Sequence, residues 1–92
     1  MFSVDSVPLP NQKVIGRIVD NGAVLVSPGK GEIKVSNEVG TRIWSLIDGQ
    51  RSVKDIAAII HLEFKVSQVE AEDDTLAFIR QLVDKHIITV GG

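Results

Sequence analysis

Apolar and polar residues along this chain follow two different periods, and the switch between them falls just after residue 35. Before it, apolar residues run together in β-branched stretches or recur at every second position. Val14 to Val19 (VIGRIV) is one such stretch, and the Asp20-Asn21-Gly22 that follows suits the tight turn of a hairpin. Ala23 to Ser27 returns as a second strand, and Pro28-Gly29-Lys30-Gly31 turns the chain again. Glu32-Ile33-Lys34-Val35 then alternates, with Ile33 and Val35 on one face and Glu32 and Lys34 on the other. The pattern predicts an antiparallel three-stranded meander whose third strand is an open edge unless another element covers it.

From Ser36 onward the apolar spacing lengthens to about 3.6 residues, the period of a helix packed on one face. Ser36 or Asn37 can cap a first helix with Val39, Ile43, Leu46 and Ile47 on one stripe, ended by Gly49 at its C′ position. A second helix opens at Ser52, with Asp55 placed for a capping box, and buries Ile56, Ile59, Ile60 and Phe64. A third opens at Ser67, where Glu70 completes a capping box and Val66 can staple onto Ala71, and runs to about Lys85. Ile87-Ile88-Thr89-Val90 is a short extended tail, with Gly91-Gly92 frayed. At the other end, Pro8 and Pro10 fix φ and withhold two backbone donors, so residues 1–12 read as an extended arm and 13–90 as a single domain. The fold class is α+β, a winged helix-turn-helix-like meander followed by three helices.

The 92 residues are 43% hydrophobic, enough for one modest core. Cysteine is absent, which excludes a disulfide framework and a thiolate metal site. No basic region precedes an apolar run at the start, and Ile56 to Ile60 is far too short to cross a bilayer, so a cytoplasmic protein without membrane contact is expected. Catalytic groups are scarce. The two histidines, His61 and His86, belong to no recognisable motif, and each reads as a packed histidine near apolar residues, His86 on the apolar side of the third helix beside its last carbonyls. Glu70, Glu72, Asp73 and Asp74 fall where the dipole of the third helix favours carboxylates, which explains them better than a metal site does. "SPGKG" is not followed by a helix N-terminus that could hold a phosphate. The sequence therefore points to a protein without cofactor or metal, and not to an enzyme.

A winged helix-turn-helix can bind DNA, which makes duplex binding the alternative function. Against it, the start of the longest helix carries four carboxylates and no Lys or Arg, and a net charge of −2 gives no general attraction for phosphates. Nucleic acid is not an expected partner. The same helix has a second peculiarity. Its stripe of Val69, Ala71, Thr75, Leu76, Ile79, Leu82 and Val83, with Phe78 at one margin beside Asp74 and Gln81, covers about half the circumference. Either a small core wraps this helix tightly, or Phe78 and its neighbours line a groove.

"SNEVGTRIWSLIDGQRSVKDIAAII" followed by "VSQVEAEDDTLAFIRQLVDKHII" resembles the PqqD-like family of peptide-binding domains, also called RiPP recognition elements, over residues 13 to 88. The likeness is carried by Asn37-Glu38-Val39-Gly40 with Ile43-Trp44, by Asp48-Gly49 with Ser52-Val53, and by Glu70-Ala71 through Asp74, Ala77 and Phe78, in this order and spacing. It implies a non-catalytic module that captures the leader segment of a ribosomally made precursor peptide and presents it to a modifying enzyme: a leader peptidase, a cyclase or a radical-SAM enzyme. The pathways implied are lasso peptide, quinone cofactor and radical-SAM types, and the stand-alone length with "NEVGTRIW" leans towards the lasso type. In similar proteins the leader adds as a strand between the third strand and the third helix. Carried onto this sequence, Glu32, Ile33, Lys34 and Val35 form the pairing edge, and Asp74, Phe78 and Gln81 the helix side. Gly40 is expected to let the first helix approach a neighbouring backbone, with Trp44 packing into the core. The chain departs from many relatives in lacking aromatic residues in its third strand and in having Ser36 before Asn37, which bears on the leader side chains it accepts.

Overall fold

The alternating first half folds into strands and the 3.6-period second half into helices. The structure, a computed structural model, describes residues 3–19, 22–29, 31–35 and 37–91. In chain order the elements are β1 (Val7–Pro10), β2 (Ile15–Val19), β3 (Gly22–Ser27), β4 (Gly31–Val35), α1 (Glu38–Leu46), α2 (Val53–Phe64), α3 (Gln68–Asp84) and β5 (Ile88–Gly91). The expected meander is the antiparallel sheet β2-β3-β4, followed by the three helices. Val19 faces Gly22 across the first hairpin; Asp20 and Asn21 of its expected turn lie outside the described residues, as do Lys30, Ser36 and Gly92.

Register decides which strand residues are core. Leu25 faces Ile33, and Ala23 faces Val35. Because side chains alternate, these four share the face that meets the helices, and Leu25, Ala23 and Val35 are buried. Ile43 and Leu46 of α1, Ile56 and Ile60 of α2, and Ile79 and Leu82 of α3 close the core from the other side. Trp44 is half-buried and lies over β2: a Cβ on Gly16 would stand 2.9 Å from its Nε1. Among the described residues no helix is long and apolar enough to cross a membrane.

The helix starts follow local chemistry. Asn37 caps α1, its Oδ1 accepting from Gly40 N at 2.7 Å. Ser52 and Asp55 form the full reciprocal box on α2. Ser67 Oγ accepts from Glu70 N at 3.1 Å on α3. The C-termini depart from expectation. Helix α1 closes with Ile47 as its C-cap, and Gly49, expected at C′, lies one residue further on at φ +80. Asp48 causes the difference: its Oδ1 accepts from the N–H groups of Gln50 and Arg51 at 2.9 Å each, which begins the turn before the glycine. Those bonds hold the Asp48 carboxyl below its ordinary range. His86 is also corrected. It lies beyond the end of α3, exposed, at φ 59, because a left-handed residue is needed to swing the chain into β5. On α3, Val69 stands 68% exposed, since the covered stripe begins at Ala71.

The two chain ends meet. Within residues 1–12, β1 pairs antiparallel with the C-terminal segment, with Val7 opposite Gly91 and Pro10 opposite Ile88. Carbonyls of this arm also complete the start of α2: Ser6 O accepts from Val53 N at 2.9 Å and Val4 O from Lys54 N at 2.8 Å. These N–H groups have no partner inside the helix, so the arm satisfies donors that Ser52 does not reach.

Thr75 is fully buried on α3, and its Oγ1 has no hydrogen-bond partner among the described residues. A buried hydroxyl without a partner carries a desolvation cost that an apolar residue of the same shape avoids. Thr75→Val is therefore expected to raise stability by about 1 kcal/mol, read as a higher urea midpoint at an unchanged slope.

Candidate functional site

Among the described residues strand β4 pairs with β3 alone, so its other edge presents unpaired N–H and C=O groups. Helix α3 runs opposite that edge, and the first turns of α1 form the floor between them. The space enclosed is a cleft of about 470 Å³. Ile33, Lys34 and Val35 line it from the strand, Asp74, Ala77, Phe78 and Gln81 from α3, and Asn37, Val39, Gly40 and Ile43 from α1.

Six of the seven residues expected at a peptide site, Ile33, Lys34, Val35, Asp74, Phe78 and Gln81, thus meet at one cleft. Glu32 does not line it. It is exposed opposite Val26, on the face of the sheet turned away from the helices. Phe78 is half-buried and forms part of the wall, packed against the core and also bordering the cleft, so both readings of the wide stripe hold in part. The contribution of α1 was absent from the expected set. Ala77 was legible, since positions 74, 77, 78 and 81 are the i, i+3, i+4, i+7 face of one helix.

Local bonds hold this arrangement in place. The Asn37 cap fixes the first turn of α1, and Thr41 Oγ1 donates to Asn37 O at 2.9 Å. Arg42 makes a bidentate pair with Glu63, at 3.0 Å from Nε and 2.9 Å from Nη2, which ties α1 to α2 and holds the Glu63 carboxyl below its ordinary range. Being exposed, the pair orients more than it stabilises. His61 lies away from the cleft, its Nδ1 against Val66 O, as the packed-histidine reading expected. Val39, Gly40 and Ile43 make most of the floor apolar, with Asn37 beside them, and Lys34 and Asp74 are lining residues of opposite walls. It is shaped for an extended chain that uses backbone bonds on one side and side-chain contacts on the other.

Solved structures share this architecture. TbiB1 in complex with the TbiA(β) leader peptide is 27% identical, with a TM-score of 0.77, over 87% of this chain and 93% of that one. The PqqD truncation of Methylobacterium extorquens PqqCD, a stand-alone RiPP recognition element, is 24% identical with a TM-score of 0.80, over 97% and 95%. Lasso peptide synthetase B1 complexed with its leader peptide is 22% identical with a TM-score of 0.76, over 89% and 96%. The latter two likenesses speak to the fold. No curated protein matches the sequence. Residues 22–88, from β3 to the start of β5 and including every cleft residue, match the family of coenzyme PQQ synthesis protein D, and the chain belongs to that PqqD family.

Proposed function

We propose that this chain is a non-catalytic module that takes up the leader segment of a ribosomally synthesised precursor peptide as an added strand on β4, in the cleft against α3. It presents that peptide to a modifying enzyme such as a leader peptidase, a cyclase or a radical-SAM enzyme, in the cytoplasm where the precursor is made. The observation that carries this reading is the cleft itself: a strand edge that is unpaired among the described residues faces a helix wall of Asp74, Ala77, Phe78 and Gln81 across a mostly apolar floor. TbiB1, the relative at 27% identity, is solved with a leader peptide, which supports the same occupant here. Affinity comes from backbone pairing and selection from the walls. A leader that is disordered when free loses entropy on docking, so binding is moderate.

The test is an NMR titration of the labelled protein with a synthetic leader from a precursor encoded beside its gene. Amide shifts are expected at residues 33–35, 37–43 and 74–81. Saturating peptide that leaves these amides unmoved, or moves only β2, sinks the proposal. Phe78 provides the side-chain test. Phe78→Ala should weaken leader binding by about tenfold or more, as the loss of an aromatic wall residue does at an interface. Phe78→Leu, which keeps the packed volume of the wall, should cost less. Equal loss of stability with unchanged affinity would assign Phe78 to the core alone.

A further inference from the structure

Glycine is a poor helix residue, costing about 1 kcal/mol against alanine, yet Gly40 occupies the third position of α1 at a negative φ that alanine would adopt freely. Its cap bond, Gly40 N to Asn37 Oδ1, is made by a backbone N–H that any residue except proline supplies. Neither backbone conformation nor the donor of the cap bond therefore requires glycine here. Contact does. A Cβ at residue 40 would stand 2.7 Å from Val35 Cγ1, 3.2 Å from Asn37 Oδ1 and 3.3 Å from Phe78 Cε1, so the first contact to give way is with Val35. Val35 belongs to one wall of the cleft and Phe78 to the other, so the two walls close on the space left by this one missing methyl.

We propose that Gly40 is a positioning residue that sets the width of the cleft, and so the fit of the bound leader strand; this rests on the peptide-binding reading above. An added strand must lie about 4.8 Å from β4 to pair with it while its side chains reach α3. The gap between β4 and α3 therefore matters on the scale of a methyl group. Val35 cannot yield to a new Cβ by rotating, because it is β-branched, 6% exposed and held opposite Ala23 in the β3–β4 ladder. The displacement passes to the walls: either the end of β4 shifts or Phe78 and α3 move outward. The glycine keeps both walls at strand distance.

The experiment compares wild type, Gly40→Ala, Val35→Ala and the double variant, reading the Kd for the synthetic leader and the urea midpoint of each. Gly40→Ala is expected to stay folded and to weaken binding by about tenfold or more, an overpacking effect delivered to the cleft. In the double variant, removal of Val35 Cγ1 makes room for the new Cβ, so it should bind at least as tightly as Val35→Ala alone. That non-additivity is what a generally damaged fold would not produce. Wild-type affinity in Gly40→Ala, or a double variant weaker than Val35→Ala, overturns the proposal. If Gly40→Ala does not fold, the comparison between Val35→Ala and the double variant still decides. Failure of the wild type to bind leader removes the peptide-binding reading itself, and this inference with it.

Discussion

Proline at one of two neighbouring positions in β4, Ile33 or Lys34, abolishes leader binding while the domain stays folded; proline at the other weakens the sheet. In an antiparallel ladder, successive residues point their N–H and C=O groups alternately at the partner strand and away from it. Leu25 pairs with Ile33 and Val24 with Lys34, and β4 has no second neighbour among the described residues, so one residue of the two bonds β3 and the other faces the cleft. Proline on the cleft-facing residue deletes an N–H the leader needs and puts a ring where its backbone must lie, while the β3–β4 ladder is kept. Binding should fall by at least about tenfold at nearly constant melting temperature. Proline on the other residue breaks a ladder bond and strands a β3 carbonyl, a loss of about 2 kcal/mol or more. The readouts are leader Kd and melting temperature for both variants. If both bind like wild type, strand addition on β4 is wrong, whatever else the cleft does. Val35 is less suited to this test, because its side chain is buried and its replacement confounds packing with pairing.

Deleting residues 1–10 is expected to be the most destabilising single change. The deletion removes β1, and with it the pairing that covers β5, whose Ile88 is fully buried next to the buried Ile87. It removes Pro8, itself fully buried, and the carbonyls of Val4 and Ser6 that satisfy Lys54 N and Val53 N at the start of α2. Burial of three or four side chains at about 1–2 kcal/mol each, with two helix-terminal bonds at about 1 kcal/mol each, gives a loss of about 5 kcal/mol or more. For a domain of this size that is a fall in melting temperature of about 20–40 °C. Thermal denaturation followed by Trp44 fluorescence would read it directly. A shortened protein that melts with the full chain would show that the ribbon is an appendage, and the packing assigned to Pro8 would have to be abandoned. Among the described residues, those lining the cleft come from β4, α1 with its cap, and α3, and none belongs to this ribbon. Near 10 °C, where the shortened chain is most stable, leader binding should persist.

The two predictions fall on opposite sides of a division in how this protein is encoded. Helix starts are local events. Asn37, Ser52 and Ser67 each cap a helix through N–H groups three residues on, so they can be read from a few letters. The alternation Ile33-Lys34-Val35 puts Ile33 and Val35 towards the helices, and the spacing of Asp74, Phe78 and Gln81 puts them on one face of α3, so most of the cleft's two long walls was legible in the sequence. What was not legible depends on distant segments meeting. Pro8 and Pro10 argue against a strand in an ordinary sheet. They are tolerated because each strand of the two-stranded β1–β5 ribbon has an open side where a missing N–H is harmless, and only the return of the chain end brings Ile88 and Val90 opposite them. His86 reads as the end of an apolar helix face until the turn into β5 requires a left-handed residue there. Gly40 is the clearest case. The sequence reads it as a place where the helix approaches a neighbouring backbone; the close contacts are instead with side chains, above all those of Val35 and Phe78, which reach that point from a strand and from another helix. Periods and caps are set by residues within a turn of one another, and so the sequence alone determined the elements and their faces. The width of a cleft between three elements depends on contacts between residues far apart in the chain, and that only the tertiary structure decided.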